Sequence, residues 1–285
     1  MSWETTEIPD SEGYAFAVST PLHACMSGVL DHTMMRVTDL EESLDWYRTN
    51  LEYEEKDRYE GDGFTIVYLG PEDMHEDGAM LELTANEGQD DLELGDAWGH
   101  IAVRVEDVHD AYYELMDQGV EDYRRPEDNP GYAFVTDPDG HEVEIVESDF
   151  GARWSLDHTM MRVEDADEAL GYWVRKFESD EVGRWEADTF ANYFVEPAEA
   201  PQEAMSLELT YNYDGRSYTM GDAWGHVCVR IDDLHEDWDQ LRTREAPDYR
   251  DPADCDDMYA FTTDPDGHEI ELLERDTDAE SLFPF

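Results

Sequence analysis

Lysine is almost missing from this chain: only Lys56 and Lys176 occur, and every other cation is arginine. Basic residues number 18 against 75 acidic ones, giving a formal net charge of −57 and a pI of about 4.1. A chain without basic patches cannot neutralise phosphates or anionic headgroups, so nucleic acid and membrane surfaces are excluded as partners. Cysteine is scarce as well. Cys25, Cys228 and Cys255 make neither an even disulfide framework nor a CxxC pair, which points to reduced thiols. No apolar run approaches the ~18 residues of a membrane span. The opening Met-Ser-Trp-Glu carries acid early and lacks the basic start of a signal peptide. A cytoplasmic location is expected.

What remains is a globular composition. Hydrophobic residues make up 40% and aromatics 12% of 285 residues, enough for two ordinary domains with real cores. The acids run evenly through the chain, so the charge belongs to the whole surface. Such a surface resembles those of proteins from salt-loving organisms, in which high salt screens self-repulsion.

The chain repeats itself. Asp31-His-Thr-Met-Met-Arg-Val37 recurs unchanged as Asp157–Val163, and Leu81-Glu-Leu-Thr84 recurs as Leu207–Thr210. Gly95-Asp-Ala-Trp-Gly-His100 returns as Gly221–His226, and Thr136-Asp-Pro-Asp-Gly-His-Glu142 as Thr263–Glu269. Four blocks in register mark a tandem duplication. It divides the chain into an N-terminal extension (1–27), two halves (28–150 and 154–275) and a short tail (276–285).

Each half reads as two strand–helix–strands units. His32–Val37 alternates, Thr38-Asp-Leu-Glu41 has the form of a capping box, and Leu40, Leu44, Tyr47 and Leu51 then share one helical face. Phe64–Leu69 and Met80–Thr84 follow as strands. The second unit places His100–Val105 on a strand, Val108, Tyr112 and Leu115 on a helix, and strands at Tyr132–Thr136 and Glu142–Glu147 around the turn Asp137–Gly140. The second half repeats this with Leu170, Trp173 and Phe177, then Leu234, Trp238 and Leu241. The expected fold class is α+β, with four βαβββ modules forming curved mixed or antiparallel sheets.

Ligand-type residues fall on these strands. Side chains two apart share a strand face, so His32 aligns with Met34 and Arg36, Glu82 with Thr84 and Asn86, and His100 with Ala102 and Arg104. Glu144 lies between the oppositely directed Val143 and Ile145. With acids so abundant, a strand Glu is weak evidence; histidine is more telling. Of the ten, His109/His235 fall on a helix surface, His141/His268 on a turn, and His23 and His75 have no counterpart. His32/His158 and His100/His226 remain, on strands bracketed by apolar alternation. Their pattern suits either metal ligation or satisfied, hydrogen-bonded rings. Two imidazoles with two carboxylates suit Ni²⁺, Zn²⁺ or Co²⁺ and leave room for water or substrate; a 2-His-1-carboxylate set would point to iron and oxygen chemistry instead.

The blocks His-Thr-Met-Met-Arg-Val, Leu-Glu-Leu-Thr, Trp-Gly-His-Ile-Ala-Val and Asp-Pro-Asp-Gly-x-x-x-Glu, in order and in both copies, resemble glyoxalase I (lactoylglutathione lyase) of the vicinal oxygen chelate superfamily. The resemblance implies a glyoxalase/dioxygenase-like fold and a metal site lying between two modules. His32, Glu82, His226 and Glu271 would hold one divalent ion, and His158, Glu208, His100 and Glu144 a second. A His at the first ligand position and short loops resemble the nickel- or cobalt-activated form more than the zinc form. The implied reaction isomerises a methylglyoxal–thiol hemithioacetal to an S-lactoyl thioester through a metal-stabilised enediolate. Glu144 and Glu271 match the base, with Glu82 and Glu208 as partners.

Arg36, Asn86, Arg162 and Asn212 match residues that contact the γ-glutamyl end of glutathione. The loops Pro126–Pro130 and Pro252–Asp257 carry acids where some relatives carry cations for the glycyl carboxylate, so a thiol of γ-glutamylcysteine type is expected beside glutathione. The alternatives are an extradiol dioxygenase, a thiol transferase, or a small-molecule binding protein without catalysis. A covalent pair of halves needs no second chain to complete a site, so a monomer is expected.

Overall fold

A computed structural model describes residues 28–129, 131–198 and 200–274; the proposed extension and tail, with His23 and Cys25, lie outside the described residues. The first half runs β1 (Val29–Arg36), α1 (Leu40–Asn50), β2 (Tyr53–Glu60), β3 (Phe64–Pro71) and β4 (Met80–Asn86). It continues with β5 (Trp98–Val105), α2 (Val108–Gln118), β6 (Tyr132–Thr136) and β7 (Glu142–Glu147). The second half repeats this as β8 (Leu156–Val163), α3 (Ala166–Lys176), β9 (Ser179–Glu186), β10 (Phe190–Pro197) and β11 (Ser206–Asn212). It ends with β12 (Trp224–Ile231), α4 (Leu234–Thr243), β13 (Tyr259–Thr263) and β14 (Glu269–Glu274). The expected α+β class and module order are what the structure shows. In the second module of each half, isolated bridges, Arg124 to Phe134 and Arg250 to Phe261, stand where the extra strand would be.

Neither sheet respects the halves. One has the order β13-β14-β12-β1-β4-β3-β2 and the other β6-β7-β5-β8-β11-β10-β9. Each is therefore four strands of one half joined to three of the other. The joins are antiparallel, β1 to β12 and β5 to β8, and the flanking pairs β1–β4, β12–β14, β5–β7 and β8–β11 are parallel. One continuous apolar cluster underlies both sheets. It takes Met35, Leu81 and Leu83 from the face opposite His32 and Glu82, and covers them with Leu44 and Tyr47 of α1.

The block Gly-Asp-Ala-Trp-Gly-His sits where the two halves cross. Asp96 N donates to Thr219 O at 2.8 Å and Asp222 N to Glu93 O at 2.7 Å. A Cβ on Gly95 would stand 2.3 Å from Met220 O, and one on Gly221 2.1 Å from Glu93 O, so only glycine permits the crossing. Trp98 and Trp224 stack there with centroids 6.3 Å apart and planes 7° apart. Their indole N–H groups donate to Thr159 and Thr33 at 2.9 and 3.0 Å.

Two local readings need correction. The cap of α1 is Asp39, whose carboxylate accepts from Glu41 N and Glu42 N at 3.1 Å; Thr38 instead donates to Asp139 at 2.6 Å. Thr38 lost the contest because Asp139 of the other module offers it a stronger, charged acceptor. β2 and its copy β9, unrecognised from sequence, are strands at sheet edges. Their charged, half-exposed residues give no alternation, and charge is what keeps an exposed edge from pairing with another chain.

The turn histidines are structural. His141 and His268 are buried, with Nδ1 2.9 and 2.8 Å from Asp137 and Asp264. Asp137 also accepts from His141 N at 2.9 Å and from the Tyr47 hydroxyl at 3.1 Å. Burial works against a charged His141 ring, but the Asp137 carboxylate outweighs it and holds the pKa above the ordinary imidazole range. A pKa raised by folding adds stability that is complete below the unfolded value of about 6.5 and fades as pH climbs through the raised folded value. The melting-temperature gap between native protein and His141→Gln should therefore be widest below about pH 6.5 and narrow above it; a gap constant with pH would show that the ring is never charged.

Candidate metal centres

Four adjacent strands each contribute one ligand-type side chain to a point: Glu271 from β14, His226 from β12, His32 from β1 and Glu82 from β4. His32 Nε2 lies 3.1 Å from His226 Nε2, from Glu82 Oε2 and from Glu271 Oε2. His226 Nε2 is 3.2 Å from Glu271 and 3.7 Å from Glu82. The second sheet builds the same quartet from Glu144, His100, His158 and Glu208. There His158 Nε2 is 2.9 Å from Glu208 and 3.1 Å from Glu144, and His100 Nε2 is 3.2 Å from His158 Nε2. All eight side chains are buried. The structure thus brings His32 together with His226, not with His100, and each quartet draws two residues from each half.

The donor chemistry fits a divalent ion. Ligands about 2.0–2.2 Å from a common centre stand roughly 3 Å from one another, which matches these separations. Asp31 and Asp157 lie against the outer nitrogens, with Nδ1 to carboxylate distances of 3.2 and 2.9 Å. Carboxylates accept, so Nδ1 carries the proton and Nε2 turns its lone pair inward. Two lone pairs and two carboxylates then converge, and only a cation satisfies them all. Electrostatics agrees. Burial opposes charge on His100 and His158, yet Glu144 and Glu208 outweigh it at His100, and Asp157 together with those two glutamates outweighs it at His158, holding both rings above the ordinary imidazole range. Burial likewise opposes ionisation of Glu144 and Glu208, and the two imidazoles reverse it and keep both carboxyls low. Without an ion the cluster gathers protons; an ion would displace them.

Asp31 and Asp157 were given no role from sequence, because a residue adjacent to a strand histidine should face the other way. Each is the extra residue of a β-bulge. Register slips between Leu30 and His32 against Val229 and Cys228, and between Leu156 and His158 against Val103 and Ala102. The bulge turns two successive side chains to one side. Asp157 is anchored in turn by Arg104, Nε to Oδ2 at 2.7 Å, and Arg230 lies 3.7 Å from Asp31. The repeated Asp-His pair was the available signal. Around the quartets, Tyr68, Phe194, Phe134 and Phe261 meet the four rings edge-on at 5.2–5.5 Å and fix their planes.

Above the second quartet opens a cavity of about 640 Å³, walled by Trp185, Phe190, Phe194, Arg162 and Asn212 among others. Arg162 Nη1 donates to Asp96 O at 3.0 Å and Trp98 O at 3.1 Å, and Asn212 donates to the Tyr218 hydroxyl at 2.8 Å. Arg36 makes the matching bonds to Asp222 O and Trp224 O, at 2.8 and 3.1 Å, and Asn86 donates to Gln89 at 2.8 Å. Of the acidic loop before Tyr132, Asn129 lines the cavity while Glu127 turns to the Tyr113 hydroxyl at 2.7 Å. Arg124, just outside that loop, lies over Phe134 at 4.6 Å and pairs with Glu142 at 2.8 Å.

Residues 29–145 and 155–272 each match the family model described as the glyoxalase/bleomycin resistance protein/dioxygenase superfamily. A lactoylglutathione lyase of Arabidopsis thaliana is 26% identical over 263 residues, 86% of this chain and 90% of that one. A lactoylglutathione lyase of Neisseria meningitidis is 39% identical over 127 residues, 42% of this chain and 91% of the relative, so it corresponds to a single half. Glyoxalase I from Zea mays superposes with a TM-score of 0.74 at 22% identity, covering 87% of this chain and 92% of that one.

Asp157→Ala should weaken divalent-ion binding at one of two sites by roughly 10–100-fold and leave the other unchanged. Titration calorimetry would then separate two binding steps, and an unaltered isotherm would show that Asp157 does not orient His158.

Proposed function

Since the chain belongs to the glyoxalase/bleomycin resistance protein/dioxygenase superfamily along both halves, we propose that it is a glyoxalase I-type lyase. It detoxifies methylglyoxal by isomerising the hemithioacetal formed with a γ-glutamyl thiol to the S-lactoyl thioester. The observation that carries this reading is the pair of two-His, two-Glu clusters, each closed by both halves.

Each quartet would hold a divalent ion, which would supply Lewis acidity to the substrate. The protein does the rest. Glu271 and Glu144 take the proton from one carbon and return it to the next. Each is ionised among imidazoles and ready to accept, but a carboxylate with a reference pKa near ~4.3 is a weak base, so the carbon acid must be strongly activated. Glu82 and Glu208 stand on the far side of their quartets, across the two His-bearing strands, and serve as partners in that transfer. Arg162 with Asn212, and Arg36 with Asn86, hold the γ-glutamyl group, and the aromatic walls about the second quartet exclude water.

Ni²⁺ or Co²⁺ is favoured over Zn²⁺, on the His at the first ligand position and the short loops. The chain works as a monomer in the cytoplasm, with a surface suited to high salt. No helix among the described residues is long and apolar enough to cross a membrane.

Metal analysis should find about two divalent ions per chain. Replacing Glu144 or Glu271 by Gln should remove the turnover of one centre, and replacing both should lower kcat by roughly 10²–10⁴-fold; activity that survives the double change would end the base assignment. The thiol is decided by Arg124. Because Glu142 already neutralises it, the cavity offers little grip for a glycyl carboxylate. The γ-glutamylcysteine hemithioacetal should be turned over at least as well as the glutathione one, and a clear preference for glutathione would refute this.

A further inference from the structure

The two quartets match residue for residue, but their nearest neighbours do not. Across the first sheet, cross-strand pairing lines up Glu271, Cys228, His32 and Met80 on four neighbouring strands. The same row of the second sheet reads Glu144, Ala102, His158 and Ser206. Side chains directly opposite on neighbouring strands have Cβ atoms about 4.5–5.5 Å apart, so Cys228 is set between two residues of the quartet. Its sulfur and ligand atoms of His32 and Glu271 all lie within 4.8 Å of one another. Cys228 is fully buried. It lies two residues from His226 on β12, on the same face, and Ala102 stands in that position beside His100.

We propose that Cys228 gives the first centre a sulfur donor that the second lacks, so that one chain carries two chemically different metal sites. This rests on the reading of both quartets as metal centres. Cys228 would hold the ion as a thiolate, its S–H proton passing to bulk solvent as the ion enters. A donor set that includes a thiolate is softer than imidazole and carboxylate alone, and soft sulfur favours Zn²⁺. The first centre therefore prefers Zn²⁺ more strongly than the second does. Beside it, Tyr68, Met80 and Leu273 pack with Cys228 in a small apolar cluster of their own, which keeps water from the sulfur.

Co²⁺ is the probe, added to the full chain after chelation of its metal. Visible cobalt absorption should grow to about two equivalents, while a near-ultraviolet sulfur-to-cobalt charge-transfer band should accompany only one of them. Cys228→Ala, which installs the residue the other centre carries, should abolish that band and keep the visible absorption. Ala102→Cys should add a second band. Zn²⁺ added below stoichiometry should erase the charge-transfer band ahead of the visible bands. Two equivalents of cobalt with no charge-transfer band would overturn the sulfur ligand and leave the metal reading standing. No cobalt absorption would overturn both. A band that survives Cys228→Ala would also overturn the proposal, and proportional loss of both signals to Zn²⁺ would overturn the selectivity.

Discussion

Everything at the two centres depends on the antiparallel pairing of β1 with β12 and of β5 with β8. Within one half, His32 and Glu82 are on parallel neighbours, as are His100 and Glu144. Each such pair is half a donor set. Only the hydrogen-bonded seam between halves sets a second His beside the first, at 3.1–3.2 Å. Backbone pairing fixes a distance that no flexible linker could. The same seam carries the stacked tryptophans and the crossed glycine loops, so the repeated Gly-Asp-Ala-Trp-Gly-His segment must fit its own copy.

Much of this was legible beforehand, and for a physical reason. Helix stripes such as Leu44 and Tyr47 obey one periodicity because one face is buried, and His100–Val105 reads as a strand because it is apolar and buried on both faces. Duplication made every ligand position visible twice. β2 and β9 were not visible because an edge strand answers to solubility more than to burial. Asp31 and Asp157 escaped because strict alternation forbids what a bulge allows. Thr38 depends on Asp139 of another module, and Arg124 on Glu142 of a later strand in its own module, partners that no local window contains.

Charge is handled in two ways in this molecule. On the surface the excess of acid over base is solvated and screened. In the interior, the same residue type is tolerated only where specific donors meet it. Arg104 faces Asp157, His141 faces Asp137, and imidazoles face the four glutamates of the quartets. The contrast separates the buried, paired acids from the rest more sharply than their count in the sequence.

The covalent seam has one further consequence, for how such a protein changes over time. A dimer of identical chains with two-fold symmetry must accept every substitution twice, once in each site. Here the two copies of a position are separate codons. Cys228 stands beside one centre while Ala102 stays beside the other, an asymmetry that a symmetric dimer cannot encode. Fusion lets one site change without its twin.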